Sequence, residues 1–290
     1  MLSLGDPGPG PRSCVIDGDS SVRRKETEQE YDFDREIANL GIRIKDVDTL
    51  KVRGEVFDEI TLLALYKLVH KKWISAIGGS ISTGKEANVF LAEKDSTDIA
   101  IKIYRIRTAN FNAMGEYIIG DRRFAGIKKT KKDLIFAWSR KEFSNLKRAH
   151  AAGLSVPEPF VWDRNILVME FIGSDGIPYP QLKNANAENP DRIYQEILQF
   201  IEDLYKKAGL IHADLSEFNI LYHEKPYIID MGQSVTIDHP KAFRFLKRDI
   251  ANINHFFSSR CDVDDEKVIF SRVTGMVFPD AEIKPQAEEG

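Results

Sequence analysis

Cysteine is scarce in this sequence, which contains Cys14 and Cys261 and no CxxC pair among its 290 residues. Two distant cysteines cannot complete a tetrahedral zinc site by themselves, so a zinc centre built on cysteine is excluded and two reduced thiols are expected. Long apolar runs are also lacking. The longest, residues 62–69, is interrupted by Tyr66 and Lys67 and is too short to cross a bilayer.

Neither a targeting signal nor an excess of one charge is present. The N-terminus has no basic region followed by an apolar stretch, so no secretory signal is expected. The net charge of −4 gives no overall attraction to nucleic acid or to anionic lipid. Apolar residues make up 42% of the chain, which is enough for a substantial core. These features predict a soluble, cytoplasmic protein without a membrane partner, built as one large domain or two lobes.

Local composition divides the chain into two lobes flanked by tails. Residues 1–33 are rich in glycine and proline and then in charge, and they predict a flexible polar tail. Residues 34–171 predict an N-terminal helix, at 54–72, followed by a β-rich lobe that contains a second helix, at 132–152. Residues 172–279 predict a helical lobe, in which Asn189 caps a helix that begins at Pro190, and residues 280–290 predict a second tail. The predicted fold class is α+β, with a small antiparallel sheet and a larger helical part.

A basic segment, residues 105–131, interrupts the β-rich lobe without a clear hydrophobic period. It predicts a mobile insertion with short helical pieces. Its basic residues, Arg122, Arg123 and those at 128–132, are candidate contacts for rRNA, although a solvated loop is the plainer interpretation. Thr108 and Thr130 are candidate autophosphorylation sites, because each is a hydroxyl on a flexible basic segment.

The stretch 79–86 predicts a loop that covers phosphates. It nearly matches the P-loop of NTPases, but Glu86 stands where a hydroxyl should bind magnesium, and the next residues predict a strand rather than a helix. As a strand–turn–strand unit it matches the glycine loop of protein kinases with only the middle glycine retained. A plain β-turn is the alternative. In the kinase interpretation the nucleotide-binding residues here are Ser82, Thr83, Gly84, Lys85 and Val89.

Two charged residues in apolar surroundings predict a buried ion pair. Lys102 ends the apolar strand 99–102, and Glu142 shares a helix row with Trp138 and Leu146. A charge in apolar surroundings requires a partner, so we expect Glu142 to hold Lys102 at the α- and β-phosphates of ATP. A solvent-facing lysine, and a glutamate paired at the surface near Arg140, are the alternatives.

The strand between the lobes, residues 167–173, is the predicted adenine site. In a kinase cleft its exit would offer backbone groups of Glu170 and Ile172 to adenine, and Met169 would limit the depth of the pocket. An interlobe strand without a ligand is the alternative.

The most specific pattern is His212-x-Asp214-Leu215-x-x-x-Asn219, followed by an apolar strand that ends in Asp230-x-Gly. Phosphoryl transfer requires a carboxylate beside the attacking group and ligands for magnesium. Asp214 is therefore the predicted catalytic residue, and Asn219 with Asp230 the predicted metal ligands. Asp230 is a second catalytic candidate, as a nucleophile. Loop aspartates are usually turn formers or caps, but that explanation does not account for this spacing.

Taken together, the motifs at 82–89, 212–219 and 229–233 resemble the type 1 branch of the RIO family of atypical protein kinases. The resemblance covers about residues 45–275 and implies a bilobal kinase fold that uses ATP with Mg2+ or Mn2+. It also implies a role in late maturation of the small ribosomal subunit, on a pre-40S or pre-30S particle. The compact chain leaves little room for the winged helix of the type 2 branch and favours an archaeal source.

The predicted helical lobe lacks the usual platform for docking a peptide. No Ala-Pro-Glu motif follows Gly232, and residues 238–240 lead almost directly into a helix. Three functions stay open: an autophosphorylating Ser/Thr phosphotransferase, an ATPase switch that binds pre-ribosomal particles through an aspartyl phosphate, and a small-molecule kinase of the aminoglycoside type. The glycine loop and the basic insertion weaken the third.

Overall fold

The computed structural model describes residues 43–44, 57–106, 111–124, 126–127, 130–186 and 188–278. The predicted tails, 1–33 and 280–290, lie outside the described residues. No helix in the described ranges is long and apolar enough to cross a membrane.

A six-stranded sheet with the order β1-β2-β3-β4-β6-β5 forms the first lobe. Five of its strands are antiparallel, as predicted, and the sixth is a two-residue edge strand, β1, that runs parallel to β2. The central strand β4 is buried on both faces from Ile99 to Tyr104, and all of these residues except Lys102 are apolar or aromatic. The strands are β1 Arg43–Ile44, β2 Ala76–Thr83, β3 Ala87–Lys94, β4 Thr97–Tyr104, β5 Pro159–Asp163 and β6 Ile166–Glu170.

Two helices pack against this sheet. Helix α1, Glu59–His70, begins after Asp58, whose side chain accepts a hydrogen bond from the Thr61 N–H at 2.9 Å. Helix α3, Lys131–Ala151, begins after the cap Thr130 and is followed by Gly153 at a φ of +77°. Both helices were predicted, with ends that differ by a few residues from those observed.

The second lobe is mainly helical. Helix α4, Pro190–Lys206, has the predicted cap Asn189, and its inward stripe packs with α5, Ala242–Phe257, and α6, Glu266–Thr274. The remaining strands form three short pairs that carry the loops of the site: β7 Gly173–Ser174 with β8 Ile177–Pro178, β9 Leu210–Ile211 with β12 Val235–Thr236, and β10 Ile220–His223 with β11 Lys225–Ile228. Because α5 begins at Ala242, the prediction that no long activation segment follows Gly232 is confirmed.

The predicted insertion contains more order than its sequence indicates. Helix α2, Phe111–Ile118, and a 3-10 turn at Arg122–Phe124 occupy its middle. Tyr117 is buried and stacks on Phe245 of α5 with a ring separation of 5.1 Å. The described part is therefore packed on the helical lobe rather than extended into solvent. Thr108, Lys128 and Lys129 lie outside the described residues.

Candidate active site

A cleft of about 560 Å³ lies where the sheet meets the loops of the helical lobe. Its size suits a nucleotide-sized ligand. The residues that line it come from the β2–β3 turn, β4, the exit of β6 and the loops around β10 and β11. Most of the predicted site residues are among them: Ser82, Gly84, Lys85, Val89, Lys102, Met169, Glu170, Ile172, Asn219 and Asp230.

The β2–β3 turn is a kinase-type glycine loop. The Gly84 N–H donates to the carbonyl of Ala87 at 2.9 Å, and a Cβ on Gly84 would lie only 2.9 Å from that same oxygen. Only glycine therefore fits this tight turn. Because β3 begins at Ala87, a strand follows the loop, and the P-loop interpretation is wrong. Thr83 ends β2 but does not line the cleft.

Lys102 connects the two lobes at the back of the cleft. Its Nζ lies 2.9 Å from Glu142 Oε1 and 2.8 Å from Asp230 Oδ1. Lys102 is only 7% exposed and Glu142 is fully buried, so the alternatives of a solvent-facing lysine and a surface glutamate are wrong. Burial opposes the charge of Lys102, but the two carboxylates outweigh it and raise the pKa. Glu142 lies behind the lysine and does not itself line the cleft.

We expect Lys102→Met to abolish most turnover and also to destabilise the fold, because Glu142 would stay buried without a cation. Removing one partner of a buried pair typically costs about 3–5 kcal/mol. The double variant Lys102→Met with Glu142→Gln removes the stranded charge, so its free energy of unfolding should recover while turnover stays low. Urea unfolding and ATP turnover measured on both variants check this; recovery of turnover in the double variant would contradict a role for Lys102 at the phosphates.

Asp230 is held in an uncommon backbone conformation that directs it into the cleft. Its φ is +64°, and its side chain is 48% exposed. Burial raises the pKa of this carboxyl, but Lys102 outweighs the effect, and the net result is a lowered pKa. The next glycine, Gly232, passes Trp138 so closely that a Cβ would lie 2.9 Å from its indole nitrogen. A positive φ costs conformational free energy in residues other than glycine, and residues with this conformation are concentrated at functional sites.

Residues 212–219, between β9 and β10, carry the predicted catalytic residue and are called the catalytic loop. This loop presents Asp214 beside Asp230. Asp214 Oδ2 accepts a hydrogen bond from Gln233 Nε2 at 2.9 Å, and the Asn219 side chain donates to the Asp214 carbonyl at 2.8 Å. Asp214 does not line the cleft, but Asn219 and Gln233, which contact it, do. Partial burial and the charge of Asp230 raise the pKa of Asp214. A raised pKa suits a carboxylate that takes a proton.

Helix α5 fixes the catalytic loop from behind. Asp249 is buried and accepts hydrogen bonds from the N–H groups of Ala213, at 2.7 Å, and Leu215, at 2.9 Å. Ala213 has a φ of +67°, so the loop turns sharply just before Asp214. Asp249 therefore sets the direction in which Asp214 points.

His212 is buried, and its Nε2 lies 3.4 Å from the carbonyl oxygen of Ile229. Burial lowers the pKa of this imidazole to about 4. An unfolded histidine titrates near 6.5. Between pH 6.5 and pH 4 the unfolded chain protonates this histidine while the folded chain does not, so the proton favours unfolding. The neutral histidine's contribution to the free energy of unfolding is therefore complete above pH 6.5 and is lost as the pH falls toward 4.

We therefore expect His212→Phe to lose less stability than the unchanged protein between pH 6.5 and pH 4, by up to roughly 3 kcal/mol. Phenylalanine keeps a ring of similar size but does not titrate. Urea unfolding at a series of pH values, without added metal, measures the slope. An identical slope in both proteins would assign the acid sensitivity to other groups.

The donor atoms at the cleft fit a magnesium ion that arrives with a nucleotide. No group of three His, Cys, Asp or Glu residues that could hold a metal occurs within the part of the chain that the structure describes. Asp230 and Asn219 offer oxygen donors at the cleft wall. Mg2+ is usually bound through one or two carboxylates together with substrate phosphates, so this short donor set is suitable.

Three residues of the site were missed by the sequence interpretation. Glu86 lines the cleft, where burial and then Asp230 raise its pKa, but it had been considered only as a mismatch to the P-loop. Gln233, three residues after the cleft-facing Asp230, lies within the 229–233 motif, but that motif gave no signal of a role for it. Asp249 did carry one, because it is a charged residue on the apolar face of an amphipathic helix.

A family model described as the RIO domain matches residues 88–268, which include β4, α3 and both aspartate loops. The chain belongs to the RIO family. This confirms the predicted resemblance to the RIO family.

RIO relatives of similar length occur in archaea, and longer ones in eukaryotes. The chain is 44% identical over 244 residues to the RIO-type serine/threonine-protein kinase Rio1 of Haloferax volcanii, covering 83% of this chain and 84% of that protein. It is 42% identical over 221 residues to serine/threonine-protein kinase RIO1 of Homo sapiens, covering 74% of this chain and 39% of the human protein. Because relatives occur in both groups, the archaeal source stays a prediction.

Solved RIO structures confirm the kinase-like fold. The Rio2 kinase from Chaetomium thermophilum, in its ADP/Mg2+-phosphoaspartate complex, matches with a TM-score of 0.60 and 26% identity, over 75% of this chain and 67% of that one. A second structure of the Rio2 kinase from the same organism matches with a TM-score of 0.58 and 27% identity, over 74% of this chain and 68% of that one.

Proposed function

We propose that this RIO protein is an ATP- and Mg2+-dependent phosphotransferase, an atypical serine/threonine protein kinase that autophosphorylates and acts in maturation of the small ribosomal subunit. The observation that carries the proposal is the contact of Lys102 with both Glu142 and Asp230, at 2.9 and 2.8 Å. This contact brings Lys102, the cation that we propose binds phosphates, beside the carboxylate of the second lobe. The names of the Haloferax and human relatives support the kinase activity.

In this proposal each residue of the site has a defined task in the transfer of the γ-phosphate. Lys102 binds the α- and β-phosphates. Asp230 and Asn219 would hold a Mg2+ ion that arrives with the nucleotide, and the ion would neutralise charge on the phosphates. Asp214 orients the attacking hydroxyl and accepts its proton. The hydroxyl oxygen bonds to the γ-phosphorus as the bond to the β–γ bridging oxygen breaks, leaving ADP.

The exit of β6 supplies the adenine contacts in this proposal. The Glu170 N–H donates to the Glu158 carbonyl at 2.8 Å, and the Ile172 carbonyl accepts from the Tyr179 N–H at 3.2 Å. The predicted adenine contacts therefore fall to the Glu170 carbonyl and the Ile172 N–H. Met169, buried at the inner end, limits the depth of the pocket.

An ATPase switch is the second candidate, and two observations favour it. Asp230 is directed into the cleft with 48% of its side chain exposed, which allows it to act as a nucleophile toward the γ-phosphorus. The similar Rio2 kinase structure contains a phosphoaspartate. In this version the carboxylate oxygen of Asp230 bonds to the γ-phosphorus, ADP leaves, and water later releases phosphate.

The ribosomal partner is proposed on the same family grounds. The basic segment 105–132 would contact rRNA, and of its arginines Arg122 is exposed, with 89% of its side chain in solvent. We propose a cytoplasmic location together with that partner.

Of the two candidate phosphorylation sites, Thr130 caps α3 and its hydroxyl donates to Asp133 at 2.6 Å.

One labelling experiment separates the candidates. The full chain is incubated with Mg2+ and ATP labelled in the γ-phosphate, and hydrolysis is followed in a single turnover with and without a protein acceptor. Acid-stable phosphate on the chain supports the protein kinase. Phosphate released by hydroxylamine supports the aspartyl-phosphate switch. A folded protein that neither retains label nor hydrolyses ATP would overturn both.

A further inference from the structure

The middle of the basic insertion contacts both lobes of the active site from outside the cleft. The docking segment, residues 114–124, contains the end of α2 and the 3-10 turn. Met114, Tyr117, Ile118 and Phe124 in it are buried. None of these residues lines the cleft. The segment nevertheless reaches the loops that carry the two aspartates by two separate hydrogen-bonded paths.

The first path leads to the loop that follows Asp230. Asp121 is buried and binds the guanidinium of Arg123 through both carboxylate oxygens, at 2.9 and 2.7 Å. The same guanidinium donates to Asn145 Oδ1 of α3 at 2.8 Å. The Asn145 amide nitrogen in turn donates to the carbonyls of Met231 and Ser234, both at 2.8 Å. Arg123 thus fixes the orientation of the amide that holds residues 231–234.

A buried lysine strengthens the same attachment. Lys141, one turn before Asn145, is fully buried and donates to the carbonyls of Gly232, at 2.8 Å, and Ser234, at 2.6 Å. Helix α3 therefore holds the loop after Asp230 with two side chains. The Lys141 Nζ also lies over the Trp138 ring, 5.2 Å from its centroid, and burial lowers the pKa of this amine well below the ordinary lysine value. Because a buried polar group requires its hydrogen-bond partners, this arrangement requires the loop to keep its conformation.

The second path leads to Asp214. The Tyr117 hydroxyl accepts a hydrogen bond from the Arg248 guanidinium at 3.2 Å. The same nitrogen of Arg248 donates to the carbonyl of Ala213, the residue before Asp214. Arg248 precedes Asp249, which holds the other side of this loop. Tyr117 therefore fixes the guanidinium that supports the strained backbone of the catalytic loop.

We propose that the docking segment is a positioning element for catalysis, in which Arg123 sets Asp230 through Asn145 and Tyr117 sets Asp214 through Arg248. The inference rests on the phosphotransferase function proposed above. A segment that only covered the helical lobe would need buried apolar residues and nothing more. This segment instead directs a partly buried ion pair and a tyrosine hydroxyl to side chains that contact the two aspartate loops.

The test uses the full chain and avoids stranding a buried charge. Asp121→Asn with Arg123→Met removes the pair together, so the free energy of unfolding should stay near that of the unchanged protein while the link to Asn145 is lost. We expect turnover to fall by about tenfold or more and the apparent affinity for Mg2+ in nucleotide binding to weaken similarly. Tyr117→Phe keeps the ring stacked on Phe245 but removes the hydroxyl that accepts a hydrogen bond from Arg248. It should therefore lower kcat without changing nucleotide affinity.

Arg140→Met is the matched control, because Arg140 is an exposed arginine on α3, the helix that carries Lys141 and Asn145, and lies outside the basic insertion. It should leave turnover unchanged. Amide hydrogen exchange at residues 231–234 gives a readout independent of activity, and it should be faster only in the double variant. Unchanged exchange, Mg2+ affinity and turnover in a folded double variant would overturn the proposal. A failure of the proposed function itself would appear separately, as absent turnover in the unchanged protein.

Discussion

Replacing Asp214 with asparagine is expected to lower turnover by about 10²-fold or more while the affinity for metal–nucleotide stays close to that of the unchanged protein. Asp214 lies on the catalytic loop and does not line the cleft, so we expect it to contribute little to nucleotide affinity. Its partial burial and the neighbouring charge of Asp230 raise its pKa, as expected for a proton acceptor. Asparagine keeps the size of the side chain and its contact with Gln233, but cannot accept a proton.

Two measurements test this role. Nucleotide affinity is measured with and without Mg2+, and turnover under single-turnover conditions. Asp95→Asn is the control, because Asp95 is an exposed aspartate in the β3–β4 turn, far along the sheet from the catalytic loop. Loss of metal-dependent affinity in Asp214→Asn, with normal affinity in an Asp230 variant, would reverse the assigned roles.

Asp230→Asn should give the opposite result: Mg2+ should no longer strengthen nucleotide binding, and turnover should fall at least as far as in the Asp214 variant, about 10²-fold. Asparagine is the suitable substitute because Asp230 has a φ of +64°, a conformation that asparagine tolerates and alanine does not. Lys102 keeps its contact with Glu142 at 2.9 Å, so the cation should stay in place and the fold should survive.

The same variant also tests the nucleophile. If Asp230 forms the aspartyl phosphate, then phosphate released by hydroxylamine should disappear in Asp230→Asn but persist, slowly formed, in Asp214→Asn. Asp95→Asn again serves as the control, because Asp95 also has a positive φ, of +50°, and is exposed. Normal turnover in both the Asp214 and Asp230 variants would show that the cleft is not a phosphotransferase site.

Several parts of the site could be predicted because they depend on short stretches of sequence. The catalytic loop and the Asp230 loop have fixed spacings, and the Asn189 cap with Pro190 fixed the start of α4. The Lys102–Glu142 contact could be predicted although 40 residues separate the partners. Each stands in apolar surroundings, and a buried charge has few ways to be compensated.

The packing of the insertion could not be predicted from its sequence. This basic, glycine-containing stretch has no clear period and predicts a mobile insertion with short helical pieces, and α2 and the 3-10 turn are such pieces. Tyr117 and Asp121 are nevertheless buried, because their partners, Phe245, Arg248 and Asn145, come from helices that lie far away in the chain. A short helix that is stabilised by tertiary contacts gives little local signal.

The sequence by itself determined the chemistry that we propose for this protein: which carboxylates, lysine and amide are candidates to meet the phosphates, and which lobe each one comes from. Those choices are encoded in local motifs, since a tight turn requires Gly84 and a strand end presents Asp230. Only the tertiary structure decided how the aspartates are held. Lys141, Asn145, Arg248 and Asp249 act through main-chain carbonyls and N–H groups, which every residue carries. Such contacts place no constraint on the identity of the residue they hold, and so leave no motif in the sequence.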